Sequence, residues 1–266
     1  MKCGLSIVAS PTARAYGFPM KTILITGASS GFGLQTAKYF LDREWNVIAT
    51  MRKPREDLLP PSDRLQLIAL DVTDPASIRQ AVSRAGPIDV LVNNAGVGIM
   101  IPLEGTSMDT VRKVFETNTF GTMALTQAVL PQLRQRQSGV IVNVTSSVTL
   151  RPLPMLSVYT ASKAAVVAFT ESLALELEQF NIRVRVVLPG RAPETRFGEN
   201  ARALMEGGIP EAYGAYAQSV FAKAFESSVV TTAQDVADAV WRAANDPSSP
   251  MRIPAGKDAM ALAESR

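Results

Sequence analysis

The sequence predicts an α/β fold, a single-domain doubly wound parallel β-sheet with helices on both faces. Three observations carry this. From residue 21 onward, short apolar β-rich runs alternate with segments of helical apolar periodicity. A glycine-rich turn directly follows the first of those runs and opens a helix. The 266 residues are 47% hydrophobic and contain no long polar linker or internal repeat, enough for one large core. Right-handed crossovers then put a ligand crevice at the carboxyl ends of the strands.

The elements follow in order. Residues 22–26 read as the first strand, and about 32–41 as an apolar-periodic helix. Strands are expected at 46–50 and 65–70. Asp74-Pro75 then opens a helix to Ser83, with Asp at the cap and Pro at the first position. Residues 88–92 are short and continuously apolar, as a buried parallel strand should be. A long helix is predicted over 108–135, which Pro131 should end or kink. Residues 140–144 form the fifth strand, and a helix carrying Tyr159 runs to about Phe180. The sixth strand, 182–188, closes at Pro189-Gly190. Residues 191–228 lose the alternation but carry Phe197, Tyr213, Tyr216 and Phe221, so a substrate-covering segment is expected there. A helix at about 232–244 and a strand near 251–253 complete the domain, which spans 20–266. Residues 1–19 are read as an N-terminal extension, disordered or produced by an upstream start codon, because Leu5–Ala9 is too short for a secretory leader.

Composition prunes the chemistry. There is no histidine, which excludes Ser-His-Asp and Cys-His machinery and any histidine-ligated metal; no metal is expected. The single cysteine excludes internal disulfides and fits a cytoplasmic location. A net charge of +3, scattered rather than striped, does not suggest nucleic-acid binding. No apolar stretch approaches the ~20 residues of a membrane span. Acid/base work must fall to Tyr, Lys, Asp or Glu.

The glycine turn reads Thr26-Gly-Ala-Ser-Ser-Gly-Phe-Gly33. Glycines at 27, 31 and 33 allow a tight turn and close approach to a pyrophosphate. The helix N-terminus, with Ser29, Ser30 and Phe32 around it, offers free N–H groups to the anion. At the end of the second strand, where an NAD site would place a carboxylate, the chain has Thr50-Met-Arg52-Lys53. Arg52 and Lys53 could hold a 2′-phosphate with Thr50 as hydroxyl donor, so NADP(H) is the expected cofactor. Asp71-Val72 closes the third strand, where a carboxylate could meet an adenine amino group. Asn93-Asn94-Ala95-Gly96 closes the fourth with small residues, and its amides can tie strand ends together. Tyr159 and Lys163 lie one helical turn apart. A cation so close would pull a phenol pKa down from its usual ~10 toward neutrality.

Taken together these motifs resemble the short-chain dehydrogenase/reductase family, in particular its hydroxysteroid- and retinol-dehydrogenase-like members. The resemblance runs from about Met20 to the C-terminus, over the glycine turn, Asp71, Asn93–Gly96, Asn118, Ser146, Tyr159-x-x-x-Lys163 and Pro189-Gly190. It implies a Rossmann-like sheet. The family places its serine thirteen residues before the tyrosine, which selects Ser146 over Ser147. By that resemblance Ser146 orients a carbonyl and Tyr159 is the acid/base. Lys163 would bind the nicotinamide ribose and lower the tyrosine's pKa, and Asn118 would support a proton relay through water. Pro189 and Gly190 border the cofactor, and Thr195 is carried over to its carboxamide. Two departures stand out. Val148-Thr-Leu-Arg-Pro152 replaces the glycine usual after the serine, and Arg191-Ala-Pro-Glu-Thr195 holds one residue more than the usual x-Val-x-Thr.

The resulting expectation is an NADP-dependent carbonyl reductase or alcohol dehydrogenase acting on a hydrophobic ketone, aldehyde or secondary alcohol. Met100, Ile101, Leu103, Leu150, Leu153, Met155 and Phe197 are the candidate apolar pocket. Two alternatives stand beside it: a non-catalytic NADP(H)-binding sensor or scaffold, and an acyl-carrier-linked 3-ketoacyl reductase, for which Arg151 and Arg191 would be the docking cations. The resemblance also implies a homodimer or homotetramer.

Overall fold

The structure is a computed structural model that describes residues 20–195, 201, 204–205, 208–226 and 228–265, except the side chains of 224–226. Residues 1–19 and Phe197 lie outside the described residues. Seven parallel strands run through it: β1 (Thr22–Ile25), β2 (Asn46–Met51), β3 (Leu65–Ala69), β4 (Val90–Asn93), β5 (Gly139–Val144), β6 (Ile182–Pro189) and β7 (Arg252–Ala255). Their order in the sheet is β3-β2-β1-β4-β5-β6-β7, so the chain reverses direction across the sheet between β1 and β4. That reversal opens a crevice at the carboxyl ends of these two central strands.

Alternation along the strands divides the core between the two faces. Ile23 and Ile25 pack on one side with Phe40, Trp45, Val236 and Val240. Leu24 packs on the other with Ile78, Leu125, Val129 and Leu173. The first group rests on α1 (Gly31–Leu41) and α7 (Ala233–Asn245), the second on α2 (Pro75–Ala85), α4 (Gly121–Arg136) and α5 (Ser157–Leu177). Both faces are covered, which is why the strands read as continuous apolar runs.

The long helix expected over 108–135 is divided. It forms α3 (Met108–Phe115), a π turn (Glu116–Phe120) and α4. Pro131 does not end α4: it lies on the exposed face, so Gln127, also exposed, can turn its freed carbonyl to solvent. Among the described residues of 191–228 there is more regular structure than the glycines suggested: a 3₁₀ turn (Glu211–Tyr213) and α6 (Gly214–Glu226). A terminal α8 (Lys257–Glu264) follows β7. No helix among the described residues is long and apolar enough to cross a membrane.

Candidate active site

The glycine turn is shaped by contact. A Cβ at Gly33 would run into the Gly27 carbonyl and the Asn94 amide, and Gly27 and Gly31 have φ of 69° and 53°. Thr26 Oγ1 accepts from Asn94 N and Ala95 N, both at 2.9 Å, while Asn94 Nδ2 donates to Thr26 O at 2.8 Å. These bonds lock the ends of β1 and β4 together. At the start of α1 the N-cap Ser30 makes no side-chain capping bond, so the first-turn N–H groups are available to an anion.

A cavity of about 930 Å³ opens over this turn. Its walls include Gly27, Ser29, Ser30, Gly31, Phe32, Thr50, Arg52, Asp71, Val72, Asn94, Ala95, Gly96 and Thr195. An extended dinucleotide fits such a cleft, with glycines where a Cβ would intrude and a cation at the end of β2. Two expected contributors depart from this. Lys53 is exposed and does not line the cavity, so Arg52 alone supplies charge from that turn. Thr50 lines it, but its hydroxyl donates to Ile25 O at 3.0 Å rather than standing ready for a phosphate. Asp71 accepts from the Thr73 N–H and hydroxyl, which hold its carboxyl below the usual range, with Arg52 adding to the effect. The cavity is also lined by Arg112, Lys113, Glu116 and Thr117, which the sequence reading did not single out. Their nearness to Asn118 along the chain was the available signal.

The second group of residues lies at the ends of β5 and α5. A 3₁₀ turn (Ser147–Thr149) follows Ser146, whose hydroxyl accepts from Val148 N at 3.3 Å and acts on the Tyr159 phenol. Tyr159 and Lys163 are 6% and 5% exposed. Burial pushes the phenol up to about 12, with the Ser146 hydroxyl pulling the other way. Burial also brings the Lys163 ammonium down from 10.5 to about 8. The lysine Nζ donates to Val144 O at 3.1 Å. The lowered tyrosine pKa anticipated from the one-turn spacing is therefore not what this structure holds: desolvation by burial outweighs the pull of the Ser146 hydroxyl.

Asn118 sits in the π turn, 1% exposed. Its carboxamide brackets Val97, donating to Val97 O and accepting from Val97 N, both at 2.8 Å. The remaining amide hydrogen goes to Ser162 Oγ at 3.0 Å, which in turn donates to Tyr159 O at 2.7 Å. Both amide donors are thus taken by protein groups, and the asparagine reaches the tyrosine through Ser162. Gly96 leaves the space between: a Cβ there would lie 3.2 Å from both Asn118 Oδ1 and Lys163 Nζ.

Beyond β6, Pro189 and Gly190 do not reach the cavity wall. Gly190 N donates to Thr231 Oγ1 at 2.9 Å and Arg191 N to Asp258 Oδ2 at 2.7 Å, which ties the turn to α8. Thr195 nevertheless reaches the cavity, where a Cβ on Gly31 would lie 3.4 Å from its side chain. The expected apolar pocket is only partly assembled. Leu103 and Met155 line a second pocket of about 270 Å³ with Tyr213 and Tyr216, but Ile101 and Leu150 belong to packed clusters. Leu153 is exposed and Met100 half-buried.

A profile of the short chain dehydrogenase family matches residues 21–205. This chain belongs to that family. Among curated relatives, 3-ketodihydrosphingosine reductase of Bacteroides thetaiotaomicron is 42% identical over 172 residues, 63% of this chain and 62% of its own. Human retinol dehydrogenase 8 is 41% identical over 181 residues, 64% of this chain and 58% of its own. The chain therefore spans less than two thirds of the length of these relatives. Among solved structures, a short-chain dehydrogenase from Streptomyces avermitilis superposes with a TM-score of 0.79 at 33% identity, covering 94% of this chain and 92% of that one. One from Burkholderia cenocepacia in complex with NADP gives 0.75 at 28% identity, covering 92% of each chain. The nicotinamide cofactor in solved family members is NADP in some and NADH in others.

Proposed function

We propose that this short-chain dehydrogenase moves a hydride between NADP(H) and a hydrophobic ketone, aldehyde or secondary alcohol, with Tyr159 as general acid/base. The observation that carries the reading is the Ser146 hydroxyl set against the buried Tyr159 phenol, with the buried Lys163 one turn on, its Nζ 3.2 Å from where a Cβ on the cavity-lining Gly96 would lie. A nicotinamide dinucleotide bound there supplies or takes the hydride. The chain's own residues do the rest. Arg52 holds a 2′-phosphate, and the α1 N-terminus holds the pyrophosphate. The Ser146 hydroxyl orients the carbonyl oxygen. Tyr159, its phenol raised to about 12, keeps its proton at neutral pH and so is set to donate it to that oxygen. In the reverse direction it is the ionised phenolate that accepts the proton from the alcohol, so a phenol raised to about 12 favours the reduction direction at neutral pH.

Residues 191–228 are read as the segment that covers the substrate, within a single domain. Leu204, Met205 and Ile209 pack on Ile99, Ile101 and Val158, beside the start of α5. The names of the two curated relatives, a ketone reductase and an alcohol dehydrogenase of apolar compounds, support a hydrophobic substrate.

The test is oxidation of NADPH, followed by absorbance, against a panel of bulky and small carbonyls. Tyr159→Phe should lower turnover by at least ~10³-fold, within the range of lost proton transfer, while NADPH still quenches protein fluorescence as in the parent. Undiminished turnover in that variant sinks the mechanism. Cofactor binding with no turnover by the parent would favour a sensor instead.

A further inference from the structure

Four described residues other than glycine have positive φ: Glu44, Gln137, Met155 and Asn181. Three of them have an ordinary reason. Gln137 and Asn181 are left-handed caps at helix C-termini, and Glu44 lies in the turn that ends α1. Met155, with φ of 63°, instead precedes a helix, two residues before α5 and four before Tyr159. A long unbranched side chain is unfavourable in this conformation, which is glycine's and secondarily asparagine's.

The surroundings hold it there. Ile101 N donates to Met155 O at 2.9 Å, and Thr160 N to Leu156 O at 2.7 Å, fixing the backbone from the residue's own carbonyl into α5. Met155 is 7% exposed, yet it belongs to none of the apolar clusters that form the core. It lines the second pocket with Pro102, Leu103, Ser157, Tyr213 and Tyr216. Strain that the fold maintains four residues before Tyr159, at a side chain that lines a pocket, points to use of the side chain rather than to packing.

We infer that Met155 is a specificity-determining wall of the substrate site, kept despite its backbone cost for the apolar surface it offers a bulky carbonyl. The inference rests on the proposed carbonyl reduction. Leu103, Tyr213 and Tyr216 extend the same wall toward solvent, so the substrate class is a carbonyl with a long apolar body rather than a small polar one.

Two truncations separate side chain from backbone. Met155→Ala removes the side chain and keeps the unfavourable φ, whereas Met155→Gly removes both. The reading is the ratio of kcat/KM for a bulky apolar carbonyl to that for a small one, measured with NADPH. It should fall about tenfold in both variants, the scale of one lost buried apolar contact. The thermal midpoint should separate them, with the glycine variant about 2–4 °C above the alanine variant. Met155→Leu, similar in volume, should keep the ratio within about threefold of the parent. A ratio unmoved in both truncations overturns the inference. So does a ratio that glycine restores and alanine does not, since the backbone would then be the cause. If the parent turns over no carbonyl of the panel, the proposed function fails and this inference fails with it.

Discussion

At Gly33 an added methyl group would strike the Gly27 carbonyl; at Lys163 a titratable amine is held only 5% exposed. The two positions typify the two sides of the crevice. The cofactor side, at the ends of β1 to β4, is defined by what is absent: side chains at the glycines, a carboxylate at the end of β2. The reaction side, at the ends of β5 and β6, is defined by what is held at a cost: a buried amine, a phenol raised to about 12, a π turn and a left-handed methionine. A steric constraint leaves a mark in the local sequence. A cost offset by the rest of the fold leaves none.

The largest test of this contrast is Lys163→Met. The folded-state pKa of the lysine, about 8, lies below its unfolded value of 10.5. The stability linked to this group is therefore complete above pH ~10.5 and is lost as pH falls through about 8. At pH 7 the variant should be more stable than the parent by about 3 kcal/mol in urea titrations of the cofactor-free protein. The gap should close as pH rises from about 8 to 10.5, while turnover at pH 7 falls at least ~10²-fold. A variant less stable than the parent at every pH would show that the amine carries no burial cost. The two sides would then be built alike.

On the cofactor side, Arg52→Ala should raise KM for NADPH about 10- to 100-fold and leave KM for NADH nearly unchanged, the effect of losing one charge-assisted bond to a 2′-phosphate. Equal use of NADPH and NADH by the parent would undo the reading of the β2 end. Lys53→Ala, at an exposed position off the cavity wall, should shift neither value beyond about twofold.

The same contrast decides what the sequence made legible. All seven strands appear within a few residues of their expected positions, because buried parallel strands are continuous apolar runs. The glycine turn, Arg52, Asp71 and Asn94 were singled out from local pattern, and all of them line the same cavity over that turn. Asn118 was legible as a residue but not as a geometry. The π turn accompanies contacts with Val97 and Ser162, 21 and 44 residues away in sequence, which no local window contains. The tyrosine–lysine spacing was legible too, yet burial reversed the expected shift of the phenol. The helix Gly214–Glu226 was hidden by the glycines around it, although its own residues favour helix.

The smallest effect probes how the reaction side is joined to the end of the chain. Thr231 Oγ1 donates to Asp258 Oδ1 at 2.7 Å and accepts from Gly190 N, while Asp258 Oδ2 accepts from Arg191 N. The clasp is close-fitting: a Cβ on Gly190 would run into the Asp258 carboxylate, and one on Gly256 into Thr231. It holds the turn from which residues 191–195 travel to the cavity, where Thr195 faces Gly31. Asp258→Ala removes the acceptor from both donors at a half-buried site, so it should cost about 1–2 kcal/mol, a drop in thermal midpoint of about 2–6 °C. Released from the clasp, the segment should close less well over the substrate and raise KM for the carbonyl several-fold. The NADPH preference proposed for Arg52, on the other side of the sheet's switch point, should stay as in the parent. A preference that collapses together with the carbonyl KM would mean that the two sides share one support, and the division drawn between them would be wrong.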